Sequence, residues 1–305
     1  MGNQVALLRR ELWEHRSIYV TPLVIGLIVA MMSVTGQVAI STVDHAVDIA
    51  ILGVSNLGEN ERAAAINVMM ISMSSLFVLA MWVLTVFYSL DSLYAERKDR
   101  SILFWRSVPV TDAETVVSKL LTALIVIPLV TFAVIVLTHL IVLLISSIWV
   151  GIKGGNAWHL IWAAAPLIDN WAATLVFLLA LPLWLSPFVG WFLLVSAYTK
   201  RSPLLVAFLP VILLPMLEKS LIGSSVFAEA IFVRSARIPL FKGIEAAEFL
   251  RNEENLHQLT ESGISLMSMI ELGSFLSSGG LWLGLVVCGL FTTAAIYVRR
   301  YRDDS

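Results

Sequence analysis

The sequence predicts an all-α integral membrane protein. It has six transmembrane helices with both termini in the cytoplasm, an N-terminal amphipathic interfacial helix, and a small helical extracytoplasmic segment before the last span. Three observations predict this. First, 58% of the 305 residues are hydrophobic and 14% charged, where soluble domains carry roughly 45–50% and about 25%; mean hydropathy is +0.87. Second, six runs approach the length of about 20 apolar residues that a helix needs to cross hydrocarbon, where each backbone amide must find its partner inside its own helix. Third, Lys and Arg concentrate in the segments that six spans would place on one side.

The runs are 18–40, 66–90, 116–148, 171–198, 203–217 and 279–298. The fifth is short and carries Pro210 and Pro215, which remove helical hydrogen bonds, so it is expected to bend, or to continue irregularly through 221–233 as a partial re-entry. Arg9, Arg10 and Arg16 precede the first run. Arg97, Lys98, Arg100, Arg106 and Lys119 lie between the second and third, Lys200 and Arg201 follow the fourth, and Arg299, Arg300 and Arg302 come last. These are 13 of the 20 basic residues, which makes that side the cytoplasmic one. The whole chain, 1–305, reads as one transmembrane domain.

Residues 1–17 place Val5, Leu8 and Leu12 at helical spacing among charges, with Trp13 near the end, as in a helix lying in the headgroup layer against membrane lipid. A full-length apolar run follows, unlike the short core of a cleavable export signal. Ala6 argues against myristoylation of Gly2. On the other side, 218–278 contains an amphipathic stretch at 243–259 that predicts a small helical cap. The single cysteine, Cys288, cannot form an internal disulfide, and no Cys/His cluster has zinc-ligand spacing. A net charge of -2 argues against a nucleic-acid partner.

The segment 91–115 carries the most information. It reads Asp91-Ser-Leu-Tyr-Ala-Glu-Arg-Lys-Asp-Arg-Ser-Ile-Leu-Phe-Trp-Arg-Ser-Val-Pro-Val-Thr-Asp-Ala-Glu114, followed by Thr115. Glu96 and Arg100 are four apart, in the favoured order for a helix-surface pair, which predicts that the second helix continues past the membrane. Ile102, Leu103, Phe104 and Trp105 form an apolar cluster flanked by Arg100 and Arg106, and Pro109 interrupts it. Thr111 with Glu114 makes a capping box that starts the next helix. Two readings of the cluster stand: side chains dipping into the headgroup layer, or a docking knuckle whose aromatic and arginine residues suit the centre and rim of a protein interface.

What is missing narrows the function. Only Lys119 among Asp, Glu, Lys and Arg falls inside a span, within a turn of its boundary, whereas ion-coupled carriers generally hold ionisable groups at membrane depth. His139 is the one titratable candidate there, and hydrogen bonding between helices is expected of it rather than proton relay. There is no nucleophile elbow, no His-Glu-x-x-His and no phosphate-binding loop, so no catalytic residue, cofactor or metal site is assigned. Leu276-Ser-Ser-Gly-Gly280 reads as a span-entry turn, and Gly280 with Gly284 allows close helix approach. A self-sufficient carrier, an intramembrane enzyme with an unfamiliar site, and a non-transporting scaffold that recruits a cytosolic protein remain as alternatives to a body powered from outside.

The chain resembles the permease subunits of type-2 ATP-binding-cassette (ABC) exporters. The likeness spans nearly the whole chain in architecture: lead-in helix, six spans, long first cytoplasmic loop, and short fifth span before an external segment. In motif it rests on Glu96-Arg97, the turn Ser107-Val108-Pro109-Val110-Thr111, Glu114 and Lys119; Lys98-Asp99-Arg100-Ser101 departs from the Gly-Thr common after the pair. The resemblance implies a bacterial inner-membrane protein whose 91–115 loop holds a coupling helix seated in a separate cytosolic ATPase. Glu96, Arg97, Arg100, Ile102, Leu103, Phe104, Trp105, Arg106, Pro109, Thr111 and Glu114 become partner-docking candidates. A second permease copy forms a homodimer with the pathway at its interface, and ATP with magnesium belongs to the partner. Asn67, Ser72, Ser75 and Thr85 on the second span are the pathway candidates.

Overall fold

The computed structural model describes residues 2–41, 56–99, 110–241 and 265–301. Most of these are helical. An isolated bridge, Phe241 to Ile270, is the only β pairing among the described residues. In chain order the helices are α1 Gly2–Glu14, α2 Ser17–Ser41, α3 Glu59–Lys98, α4 Asp112–Leu121, a π-turn Thr122–Val126, α5 Ile127–Ile152, a second π-turn Trp158–Trp162, α6 Leu167–Trp184, α7 Ser186–Tyr198, α8 Pro203–Leu221, α9 Val226–Ala236, a 3₁₀ turn Met267–Met269, α10 Leu272–Ser277 and α11 Gly279–Tyr301. The predicted cap at 243–259 and the cluster Ile102 to Trp105, with Arg100, Arg106 and Pro109, lie outside the described residues.

Six helical stretches are long and apolar enough to cross a membrane. α3 has 40 residues, about 60 Å at 1.5 Å per residue, twice a hydrocarbon core of about 30 Å. Its charged ends, Arg62 and Glu96, therefore lie beyond the apolar stretch. Phe77, Met81, Ile127, Ile135, Leu178 and Leu193 fill the centre, while Leu79, Phe87, Ile148 and Leu283 stay exposed on the outside, as befits a surface solvated by lipid.

Proline chemistry explains where these helices depart from the sequence reading. Pro128 has no amide for the Leu124 carbonyl and its ring crowds that position; the chain responds with the π-turn, in which the Ile127 amide bonds to the Thr122 carbonyl. The run 171–198, expected as one helix, is two. Pro187 cannot continue the ladder, and Leu185 takes φ -85, ψ 9 at the junction of α6 and α7. α8, in contrast, passes both Pro210 and Pro215 without a break. A turn at Gly223, with φ 73, then returns the chain into α9, so 203–236 forms a helical hairpin rather than an irregular extension.

Two close contacts fix the last span. A Cβ on Gly190 would lie 3.0 Å from the Cα and the carbonyl oxygen of Cys288, so α7 and α11 meet backbone to backbone. Gly280 and Gly284 seat a side chain instead. Arg234 of α9 lies over the Trp184 ring at 4.2 Å and donates to the Trp184 carbonyl at 2.8 Å and the Gly280 carbonyl at 2.5 Å. Trp184 Nε1 returns a hydrogen bond to the Arg234 carbonyl. The helix break at Leu185 is what leaves the Trp184 carbonyl open to the guanidinium.

Candidate functional site

At one end of the bundle α1, α3, α4 and α11 converge on a buried ionic junction. Lys119 is fully buried, and its ammonium sits 2.9 Å from Glu11 Oε1 and 3.0 Å from Glu96 Oε1. Glu96 also accepts from Arg10 at 3.1 Å and, through Oε2, from Arg299 at 2.5 Å. Arg299 Nε reaches Asp112 at 2.9 Å. Tyr88 donates to Glu11 Oε2 at 2.7 Å, and Arg10 pairs with Glu14 within α1. Buried Glu11 and Glu96, with half-exposed Asp112 and exposed Glu14 at the rim, thus interleave with three cations, an arrangement in which the central groups can remain charged away from water.

Local sequence puts each group there. Asp112 in the first turn of α4 and Arg299 in the last turn of α11 complement their own helix dipoles, whereas Glu96, in the last turn of α3, opposes its dipole and is held by the three cations around it. The predicted capping box is present: Thr111 Oγ1 accepts from the Glu114 amide at 3.2 Å, and Glu114 Oε2 accepts from the Thr111 amide at 2.9 Å. Arg97 donates to the carbonyls of Ser196, at 2.5 Å, and Thr199, at 2.8 Å, tying α3 to the end of α7. Both stems of the 99–111 connection are therefore fastened to the bundle, and to α1, by charge.

This arrangement corrects several sequence expectations. Glu96 is buried rather than on a helix surface, and Arg97 turns inward onto the carbonyls of Ser196 and Thr199, so both hold the base of the loop. In α1 the positions buried against protein are Leu7 and Glu11, while Val5 and Trp13 stay exposed; the helix packs through a carboxylate because Lys119 lies beneath it. The pathway candidates do not share one face. Ser72 and Ser75 are exposed, each bonded to a carbonyl of its own helix. Thr85 is fully buried and bonds to the Met81 carbonyl, and Asn67 accepts from Asn170 of α6 at 2.7 Å. His139 bridges helices, taking Trp171 Nε1–H on Nδ1 at 3.3 Å with Ser74 Oγ 3.4 Å from Nε2.

The sequence reading passed over Glu11, Arg10, Asp112, Tyr88 and Arg299. One signal is available: an ammonium at the head of an apolar run demands a buried carboxylate. His15 flanks the junction. Its Nε2 is 3.8 Å from Glu11 Oε2 and its ring meets Tyr88 edge-on at 4.9 Å. Burial, aided by Lys119 and opposed by Glu11, holds its pKa below 6.5. Well above pH 6.5 the ring is neutral whether the chain is folded or unfolded and costs nothing. As the pH falls below 6.5 the unfolded chain takes up a proton that the folded one resists, so stability declines. The unfolding midpoint in detergent is expected to fall between pH 7 and 5.5, with a shallower fall in His15→Gln; equal slopes for the two would show that His15 is not the sensor.

Together the fold and its apolar surface define a multi-pass, all-helical membrane protein. Comparison with known protein families, with curated proteins and with solved structures returns no match.

Proposed function

We propose that this chain is the membrane-spanning permease subunit of an ABC exporter, working as a homodimer in a bacterial inner membrane and driven by a separate cytosolic ATPase through the 91–115 loop. The observation that carries the reading is the ionic junction, which fastens both stems of that loop to three span ends and to α1. A push on the loop would be passed to α3, α4 and α11 as a unit, because Glu96 is shared by cations from α4 and α11 and Lys119 by carboxylates from α1 and α3, and separating the helices would leave buried charges underpaired. Substrate would then move as the spans exchange between two packings. Two further features support the reading. The centres of the spans hold no carboxylate or cation that an ion-coupled carrier would use. α8 buries only Ala207 within its own chain, which leaves an apolar helix for a second copy.

The test is directed at the knuckle. Phe104→Asp with Trp105→Asp is expected to abolish co-purification of the ATPase subunit, and with it ATP-dependent transport in vesicles, while leaving the unfolding midpoint of the isolated chain within a degree or two. Undiminished association of the double variant would overturn the docking assignment. Transport by the chain alone down an imposed ion gradient would replace the reading with a carrier.

A further inference from the structure

Between α2, α3 and the start of α8 runs an open groove of about 770 Å³, within the range of roughly 300–1,000 Å³ that takes small organic ligands. Its walls are apolar over most of its length, with Ile28 and Met32 on α2 facing Leu76, Leu79 and Val83 on α3. From Leu76 to Asp91 the wall extends about 22 Å at 1.5 Å per residue, more than the about 15 Å of one leaflet's hydrocarbon. At one end the lining changes character to His15, Asp91 and Tyr94. Asp91 directly follows the apolar run 66–90, so its carboxylate lies at headgroup depth.

Charge decides what fits. Asp91 is exposed and makes no ion pair or side-chain hydrogen bond among the described residues. Of the cations at this end, Arg10 and Lys119 are engaged with Glu11, Glu14 and Glu96, and Arg97 with the carbonyls of α7; Arg16 and Arg201 are exposed and do not line the groove. His15, the other titratable group on the lining, is neutral at pH 7. An anionic headgroup would meet the Asp91 charge unrelieved. A second copy entering through its own α8 would bring only apolar residues from Leu204 to Leu217, burying that carboxylate without a partner at a high cost. A cation relieves it, and the Tyr94 ring adds a π face of the kind that favours ammonium groups.

We propose that the groove binds a membrane-dissolved amphiphile with one alkyl chain and an amine or quaternary ammonium head, the chain lying along α2 and α3 and the head at Asp91. As cargo this ligand rests on the exporter reading and gives it a substrate class; as a binding site it stands without an ATPase, so the two fail separately. The test uses the purified full chain in phosphatidylcholine nanodiscs, titrated with a dansyl-labelled dodecyltrimethylammonium analogue and, in parallel, a dansyl-labelled dodecanoate. Saturable binding of the cationic probe is expected, with the anionic probe much weaker. Asp91→Asn should weaken the cationic probe about tenfold, the size of one charge-assisted contact, and leave the unfolding midpoint unchanged. Ala80→Trp, or Met32→Trp if the first does not fold, should remove saturable binding by filling the groove. Equal affinity in Asp91→Asn, or equal binding of the two probes, overturns the assignment. So does a disulfide between copies carrying Met32→Cys and Leu79→Cys, which would put a second chain in the groove.

Discussion

Lys119→Met is expected to destabilise the protein by about 3–5 kcal/mol, the cost of leaving a buried charge without its partner. The ammonium is fully buried and shared by Glu11 and Glu96, and the two carboxylates do not suffer equally from its loss. Glu96 keeps Arg10 and Arg299. Glu11 keeps only the Tyr88 hydroxyl and a neutral imidazole at 3.8 Å. Adding Glu11→Gln to Lys119→Met should therefore recover a large part of the loss, although neither residue is restored. The measurement is the thermal unfolding midpoint in detergent, expected to drop on the order of 10 °C in the single variant and to rise again in the double. A single variant as stable as the parent would mean that the junction is hydrated rather than buried. In the exporter reading the same substitution uncouples α1 and α4 from α3, so transport should fall more steeply than ATPase binding.

Gly284→Ala is expected to be as damaging as Arg234→Ala, at about 2–3 kcal/mol each, although it adds only a methyl group. A Cβ on Gly284 would overlap Arg234 Nη2 and stand 2.6 Å from Cζ, so the guanidinium must leave its seat. It then loses two charge-assisted bonds to backbone carbonyls and the Trp184 face, contacts worth about 1.5 kcal/mol or less each at this half-exposed position. Because both changes remove the same contacts, the double variant should be no worse than either single one. Arg234→Lys should not rescue, since an ammonium cannot span both carbonyls as a planar fork does. Tryptic cleavage after Arg237 should accelerate several-fold in all these variants as α9 detaches; additive losses would show that the two residues act apart.

The two predictions differ in how far the sequence could have reached them. Gly280 and Gly284 were visible as a close-approach motif, yet the motif says only that something small-demanding lies against the helix. That the neighbour is an arginine side chain from a hairpin 46 residues upstream of Gly280 depends on α9 folding back, which Gly223 permits and no local pattern requires. Lys119 was visible as the one ion in a span. Its partners are not, because carboxylates on α1 and α3 at sequence separations of 108 and 23 leave no periodic trace.

The hairpin and the junction also explain the sequence reading's errors. Helical spacing in α1 assigned the apolar face to Val5, Leu8 and Leu12, a sound rule for a helix on lipid. One face of this helix lies on protein and turns Leu7 and Glu11 inward, Glu11 toward an ammonium, while Val5 and Trp13 stay exposed. Glu96 and Arg100 read as a surface pair because i, i+4 neighbours meet on one face of an isolated helix; in the structure Glu96 is enclosed by charges from α1, α4 and α11. The serines at 72 and 75 and the threonine at 85 were grouped because they share α3, but a helix has more than one side, and only packing tells which side a hydroxyl occupies.

The sequence by itself determined the solvent and the class of fold. Runs of apolar residues near the length of a bilayer leave a polypeptide no way to satisfy its amides except as helices, and that constraint is local, so it is legible residue by residue. Tertiary structure alone decided which charges neutralise one another, where Arg234 sits and which groove leaves Asp91 open. Those outcomes depend on distances between helices that the chain sets only when it is packed, and electrostatic energy in a low-dielectric interior changes too steeply with distance to be read from order along the chain.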